Sequence, residues 1–194
     1  MVSAKAQEPE MTGEDEAPSR SGGGVWAEVW DTVRTVGIAL IAALLIRQFV
    51  IQTYTVSGPS MEPNFHTGER VLVFRAAYDF APPKPGQVIV FTPPIPSKDD
   101  FIKRIIAVGP ATVSMTDGQV YVNGVLQPDT FVYPPYRGTT NFPATRVPAG
   151  DVFVMGDHRT DSEDSRFFGP VPERSIAGRV VALWWPPQFA RIVK

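Results

Sequence analysis

Twenty prolines and 16 glycines punctuate this 194-residue chain, many of them between short apolar runs. Proline cannot donate to a backbone ladder and breaks helix interiors, and Gly/Pro clusters mark turns. Long helices are therefore excluded from most of the sequence, and the pattern predicts many short strands. The candidates are Phe49–Val56, Arg70–Phe74, Gln87–Phe91, Phe101–Val108, Gln119–Val122, Asp151–Met155 and Ala177–Trp185. Asp117-Gly118 and Asn123-Gly124 are hairpin-turn dipeptides. Ala81–Pro85 and Thr92–Pro96 read as loops. The expected fold is mainly β, an antiparallel β-rich domain hung from one N-terminal helix.

That helix is the exception to the strand texture. Residues 1–24 form a polar, glutamate-bearing tail ending in Ser21-Gly22-Gly23-Gly24, too poor in apolar side chains to order itself. Residues 25–51 then turn hydrophobic. The uninterrupted apolar part, Val36 to Ile46, falls short of the roughly 20 residues that a spanning helix needs. Extending it from Val29 to Val50 reaches that length and takes in Asp31, Arg34, Arg47 and Gln48 near the ends, where long side chains can snorkel. Trp26 and Trp30 suit an interfacial belt. A buried core helix and a cleaved secretory signal are the rivals. The amino-terminal side is acidic where a cleaved signal is basic, and no clear small-x-small site follows. The expectation is an uncleaved anchor in a lipid bilayer, with a β-rich domain over residues 52–194 and a small inserted β region at 112–150.

Bulk composition narrows the chemistry. A net charge of −2 gives no electrostatic case for nucleic acid. The absence of cysteine removes disulfides, zinc-thiolate sites and a cysteine nucleophile together. The only histidines, His66 and His158, are too few and too far apart in sequence for a good ligand set. Neither a metal nor a cofactor is expected.

Two segments carry the reactive groups. Lys103 lies in Phe101-Ile102-Lys103-Arg104-Ile105-Ile106, a charged pair inside an apolar run. A lysine held in apolar surroundings loses affinity for its proton, and the neutral amine can act as base to a serine hydroxyl. Upstream, Ser60 sits in the turn-rich Ser57-Gly58-Pro59-Ser60-Met61-Glu62-Pro63. The pairing suggests a serine hydrolase without a histidine. A Ser-His-Asp hydrolase is disfavoured, because Ser60 lacks the Gly-x-Ser-x-Gly elbow.

With Gly68-Glu69-Arg70-Val71-Leu72-Val73 and the segment Gly156-Asp157-His158-Arg159-Thr160-Asp161-Ser162-Glu163-Asp164-Ser165-Arg166, these segments stand in order behind the apolar stretch. In that arrangement the chain resembles the bacterial type I signal peptidases over roughly Val29 to Trp185. The resemblance implies Ser60 as nucleophile and Lys103 as general base, with Ser162 orienting the amine and Asp164 paired to Arg166 beneath the site. It implies that Met61, Phe65 and Ile102, with Tyr54 and Val56, shape pockets for small side chains of an extended segment bound by β-augmentation. The implied substrates are signal peptides of exported preproteins. The implied setting is the cell membrane, a single pass with the catalytic domain on the outer face, and a monomer.

The chain departs from the family at three places: Gly58, where some relatives have serine; His158, where asparagine is common; and Gly109-Pro110-Ala111, looser than the usual Gly-Asp turn. An SOS-repressor-type autoprotease would share the dyad but lack the anchor and carry its own cleavage site. A non-enzymatic membrane-bound β module would leave the Lys103 surroundings unexplained. For the oxyanion, the Ser60 amide is the first donor, since Pro59 has none. Ser57→Ala is expected to be nearly silent and Gly58→Ser to be tolerated.

Overall fold

The computed structural model describes residues 25–193, so the tail expected over residues 1–24 lies outside the described residues. Two compact units divide at Ile41/Ala42. Helix α1 runs over Val25–Phe49. Glu28 in its first turn complements the helix dipole, and the hydroxyls of Thr32 and Thr35 donate back to the carbonyls of Glu28 and Asp31. The apolar side chains of Val33, Val36, Ile38, Leu40, Ile41 and Leu44 are exposed. Among the described residues no helix is long and apolar enough to cross a membrane.

The second unit is antiparallel β. Its strands are β1 (Ile51–Thr55), β2 (Arg70–Phe74), β3 (Val88–Phe91), β4 (Phe101–Val108), β5 (Ala111–Thr116), β6 (Gln119–Val122), β7 (Val125–Leu126), β8 (Phe142–Val147), β9 (Asp151–Met155), β10 (Val171–Pro172), β11 (Ile176–Trp185) and β12 (Arg191–Ile192). Single helical turns α2 (Ala77–Phe80), α3 (Pro134–Arg137) and α4 (Ser165–Phe168) interrupt them. The large sheet runs β1-β2-β11-β3-β4-β9-β10, with β12 on β11; a four-stranded sheet runs β7-β6-β5-β8.

Alternation explains the core. Successive side chains point to opposite faces of a strand. Val88 and Val90 of β3 enter a cluster with Val56, Met61, Phe65, Val71 and Val180, while Ile89 and Phe91 enter another with Ile105, Val152 and Val154. Every residue of β3 is buried, so both faces of the large sheet are covered there. A third cluster joins β4 and β9 to the small sheet through Ile106, Phe153, Met155, Val113, Met115 and Val120.

The turns follow from their residues. Asp117, Gly118, Asn123 and Gly124 all have positive φ, as a two-residue hairpin of right-handed strands requires, and they join β5 to β6 and β6 to β7. Four expected strands match the observed bounds: Arg70–Phe74, Phe101–Val108, Gln119–Val122 and Asp151–Met155. The sequence reading missed β5 and β8. In β5 the alternation Ala-Thr-Val-Ser-Met-Thr was there to be read, and its burial alternates accordingly. In β8 Pro143 hides the strand; the edge position of β8 tolerates a residue that cannot donate.

Candidate active site

A closed loop between β1 and β2 presents Ser60. The Val56 N–H donates to Glu69 O (2.8 Å) and the Gly68 N–H to Val56 O (2.9 Å), pinching its two ends together. Met61 and Phe65, both fully buried in the first core cluster, pin the loop from below. A helical turn inside it, Phe65 N–H to Met61 O (3.0 Å), leaves Ser60 at the upper end. Chain geometry thus uses Met61, the residue after Ser60, as an anchor.

Lys103 reaches the same point from β4, where it pairs across the ladder with Ile89. Its Nζ donates to Ser60 Oγ at 2.7 Å, and the residue is 5% exposed. Burial lowers the ammonium pKa to about 8, since losing water penalises the charged form. The carboxylates of Asp164, Glu163 and Asp157 pull it back up, and Arg166 pushes it down. Desolvation is the largest of these influences. The Phe101 ring centroid lies 5.3 Å from Nζ.

The loop from Gly156 to Arg166 closes the site from the other side. Gly156 packs so tightly that a Cβ there would meet Ser60 O at 2.4 Å and Ser162 Oγ at 2.3 Å. Its N–H donates to Asp164 Oδ2 (3.0 Å). Asp164 is fully buried and takes two guanidinium bonds from Arg166 (2.8 Å each) and one from the Ser162 hydroxyl (2.8 Å). With its oxygens so engaged, Asp164 forms no direct hydrogen bond to Lys103 among the described residues. The Ser162 hydroxyl likewise points its proton at Asp164, and the hydrogen bond that Lys103 Nζ makes among the described residues is to Ser60.

A cleft of about 690 Å³ opens at this dyad. Tyr54, Val56 and Ile102 line it, as do Ser60 and Lys103. Met61 and Phe65 are not among its lining residues; they sit in the core behind the Ser60 loop. Gly58 has φ +81°, a left-handed conformation that L side chains avoid. The expectation that Gly58→Ser is tolerated is therefore corrected: space is open, but the backbone is strained for any side chain. Ser57, whose replacement by alanine is expected to be nearly silent, also lines the cleft.

Sequence reasoning missed the neighbouring pair. Arg104 and Asp157 form a buried two-pronged bond (2.8 and 2.6 Å), with Arg104 also donating to Gly86 O and lying 4.2 Å above the Phe131 ring centroid. Asn64 donates to Asp157 Oδ2 (2.9 Å) and ties the Ser60 loop to the same carboxylate. The charged pair inside an apolar run was the available signal; its partner lies too far along the chain to be read from the sequence. Neither histidine ring bonds the Ser60 hydroxyl among the described residues. His66 sits beside Glu69, and the His158 ring stacks on Tyr136.

A hydroxyl hydrogen-bonded to a buried amine of depressed pKa is equipped for nucleophilic attack on an acyl group. The arrangement defines a serine-hydrolase type of site. Comparison with known proteins agrees: the family described as "Signal peptidase, peptidase S26" matches residues 29–185. A probable signal peptidase I-1 of Synechocystis is 38% identical over 169 residues, 83% of this chain and 85% of that protein. A signal peptidase I of Bacillus caldolyticus is 34% identical over 79% of this chain and 90% of its own length. A crystal structure of a signal peptidase I from Enterococcus faecalis aligns with TM-score 0.44 and 28% identity, covering 50% of this chain and 96% of that one. The chain belongs to the signal peptidase family, peptidase S26. It is a serine endopeptidase of the type I signal peptidase kind, and its reaction is the cleavage of signal peptides.

Proposed function

We propose that this enzyme releases exported preproteins from their signal peptides by a Ser60–Lys103 mechanism, working at the outer face of a membrane to which residues 25–51 anchor it. The observation that carries the mechanism is the 2.7 Å contact between Ser60 Oγ and a buried amine whose pKa is lowered to about 8. In the neutral state the amine accepts the serine proton as Oγ attacks the scissile carbonyl carbon. The tetrahedral intermediate collapses with that proton passing to the departing amine. Water, activated by the same lysine, then hydrolyses the acyl-enzyme. For the oxyanion, the Ser60 N–H is a candidate donor, with no acceptor bonded to it among the described residues.

The supporting residues act on this dyad. Arg166 and Ser162 hold the Asp164 charge away from Lys103, so that desolvation can dominate. Tyr54, Val56 and Ile102 shape the cleft for small side chains; Met61 and Phe65 shape it indirectly by setting the height of the Ser60 loop. The substrate lies extended along the cleft beside strand edges. Anchoring is supported by the exposed apolar side chains of α1, together with Trp26 and Trp30 near one end. The peptidase domain over residues 52–194 follows directly after the anchor in sequence. A single chain supplies every group named, consistent with a monomer.

The test is incubation of the purified full chain with a precursor bearing a signal peptide, followed by sequencing of the new amino terminus. Cleavage by the wild type and none by Ser60→Ala supports the reading. Unimpaired cleavage by Ser60→Ala rejects the nucleophile. Release of the full chain from bilayers by high-salt or alkaline washing rejects the anchor.

A further inference from the structure

The connection between β7 and β8 touches the catalytic loop at several points that the chemistry above does not use. Arg159, buried and 2% exposed, donates through Nε to Gly156 O (3.1 Å) and through its two terminal nitrogens to Asp129 (2.8 and 2.9 Å). The Thr160 N–H donates to Tyr136 O (3.2 Å). A Cβ on Gly138 would meet the Thr160 methyl at 2.6 Å, so the Gly138 backbone lies against the Thr160 side chain. Between these grips lies a ring stack: Tyr136 and His158 are parallel within 18° at a centroid distance of 3.7 Å. Tyr136 is itself braced edge-on by Tyr133 at 5.3 Å. The His158 Nδ1 is buried and has no hydrogen-bond partner among the described residues, so that nitrogen gives the ring no polar anchor.

What His158 holds is the nucleophile. Its backbone N–H donates to the carbonyl oxygen of Ser60 at 3.0 Å. That bond comes from the residue whose ring Tyr136 clamps. We infer that Tyr136 is a positioning residue for catalysis: by stacking on His158 it fixes the His158 backbone, and through the Ser60 carbonyl it sets where Ser60 Oγ stands relative to Lys103. The inference rests on Ser60 being the nucleophile. It gives a mechanical role to His158, whose imidazole offers a full ring to stack. A displacement of about 1 Å at a reacting atom can cost on the order of a hundredfold in rate.

Neither Tyr136 nor His158 lines the cleft, and neither is among the groups that shift Lys103. Loss of the stack should therefore lower kcat while leaving KM and the pH midpoint alone. The experiment measures kcat, KM and the pH profile of the full chain in detergent on a fluorogenic peptide with an Ala-x-Ala site. The variants are Tyr136→Leu, Tyr136→Phe and His158→Leu, with Ser60→Ala as control. Tyr136→Leu and His158→Leu are expected to lose about tenfold or more in kcat with KM within about twofold, and Tyr136→Phe, which keeps the ring, to stay within about twofold of wild type. His158→Leu reaches the same stack from the other side and keeps the backbone N–H, so it decides the matter if Tyr136→Leu fails to fold. The inference is overturned if both leucine variants keep kcat, if Tyr136→Phe falls as far as Tyr136→Leu, or if the loss appears in KM or in the pH midpoint. An active Ser60→Ala would instead overturn the nucleophile assignment, a separate result.

Discussion

Lys103 and Arg104 are adjacent cations on one strand, each less than a tenth exposed, and they are treated in opposite ways. Arg104 is answered in full: a two-pronged carboxylate, a backbone carbonyl and an aromatic face. Lys103 is answered by a hydroxyl, while the Asp164 carboxylate behind it is turned to Arg166. Pairing holds a buried charge in place; withholding the pair weakens the amine's hold on its proton. The same depth in one domain therefore gives a structural ion pair at Arg104 and an amine of lowered proton affinity at Lys103. Arginine, protonated at any working pH, suits the first role, and lysine, whose pKa moves readily, suits the second.

Exchanging the two kinds of cation breaks the contrast most severely. Lys103→Arg keeps the charge but cannot accept the serine proton, and activity on the fluorogenic peptide should fall by about 10²–10⁴-fold. Turnover within tenfold of wild type would sink the assignment of Lys103 as base.

On the Arg104 side the loss should appear in stability. Arg104→Ala leaves Asp157 buried without its partner and should cost about 3–5 kcal/mol, read from denaturant midpoints. A cost below about 1 kcal/mol would mean that water reaches Asp157 and that the pair is not a closed unit.

Lys103 itself should show the reverse sign. Its pKa is about 8 folded against 10.5 for the free group, so between those values the unfolded chain binds more protons and stability rises with pH. Below pH 8 the folded state bears the full cost of the buried ammonium, on the order of 3 kcal/mol. Lys103→Met should therefore be inactive yet more stable at pH 7, by about 1–3 kcal/mol. Around the folded pKa of about 8, kcat/KM of the wild type should rise about tenfold from pH 7 to pH 9, because only the neutral amine works. A wild type most active in acid, or a Lys103→Met protein less stable than wild type, would contradict a desolvated amine.

The smallest expected effects test the nucleophile turn. Gly58→Ser should cost about 1–2 kcal/mol from its left-handed backbone, whatever its hydroxyl contributes. Ser57→Ala should change thermal stability little, and its kinetics decide whether this cleft-lining hydroxyl touches the oxyanion. A loss of about a hundredfold would identify it as a donor.

Much of this was legible beforehand, for local reasons. Punctuation by proline and glycine, with Asp117-Gly118 and Asn123-Gly124, reported strands and hairpins, because turn conformations depend on a few adjacent residues. The small sheet was only half visible: Pro143 conceals β8, and β7, β10 and β12 span two residues each, too few to show a period. Met61 and Phe65 were expected beside the cleft with Ile102. The residue types are compatible with pocket or core, and only the path of the loop places them in the core.

The sequence by itself determined the β-rich class and the order of the motifs, and it singled out Ser60 and Lys103 as the candidate pair. These depend on residue chemistry and short-range backbone preference. Tertiary structure decided which buried charge keeps its proton. Asp157 and Asp164 are seven residues apart in one loop, and either could have paired with either neighbouring cation. The turn of that loop around Gly156 sends Asp157 to Arg104 and leaves Asp164 to Arg166. Desolvation and charge pairing act over a few ångströms of space rather than along the chain, so the proton affinity of Lys103 is fixed only once the fold has brought those groups together.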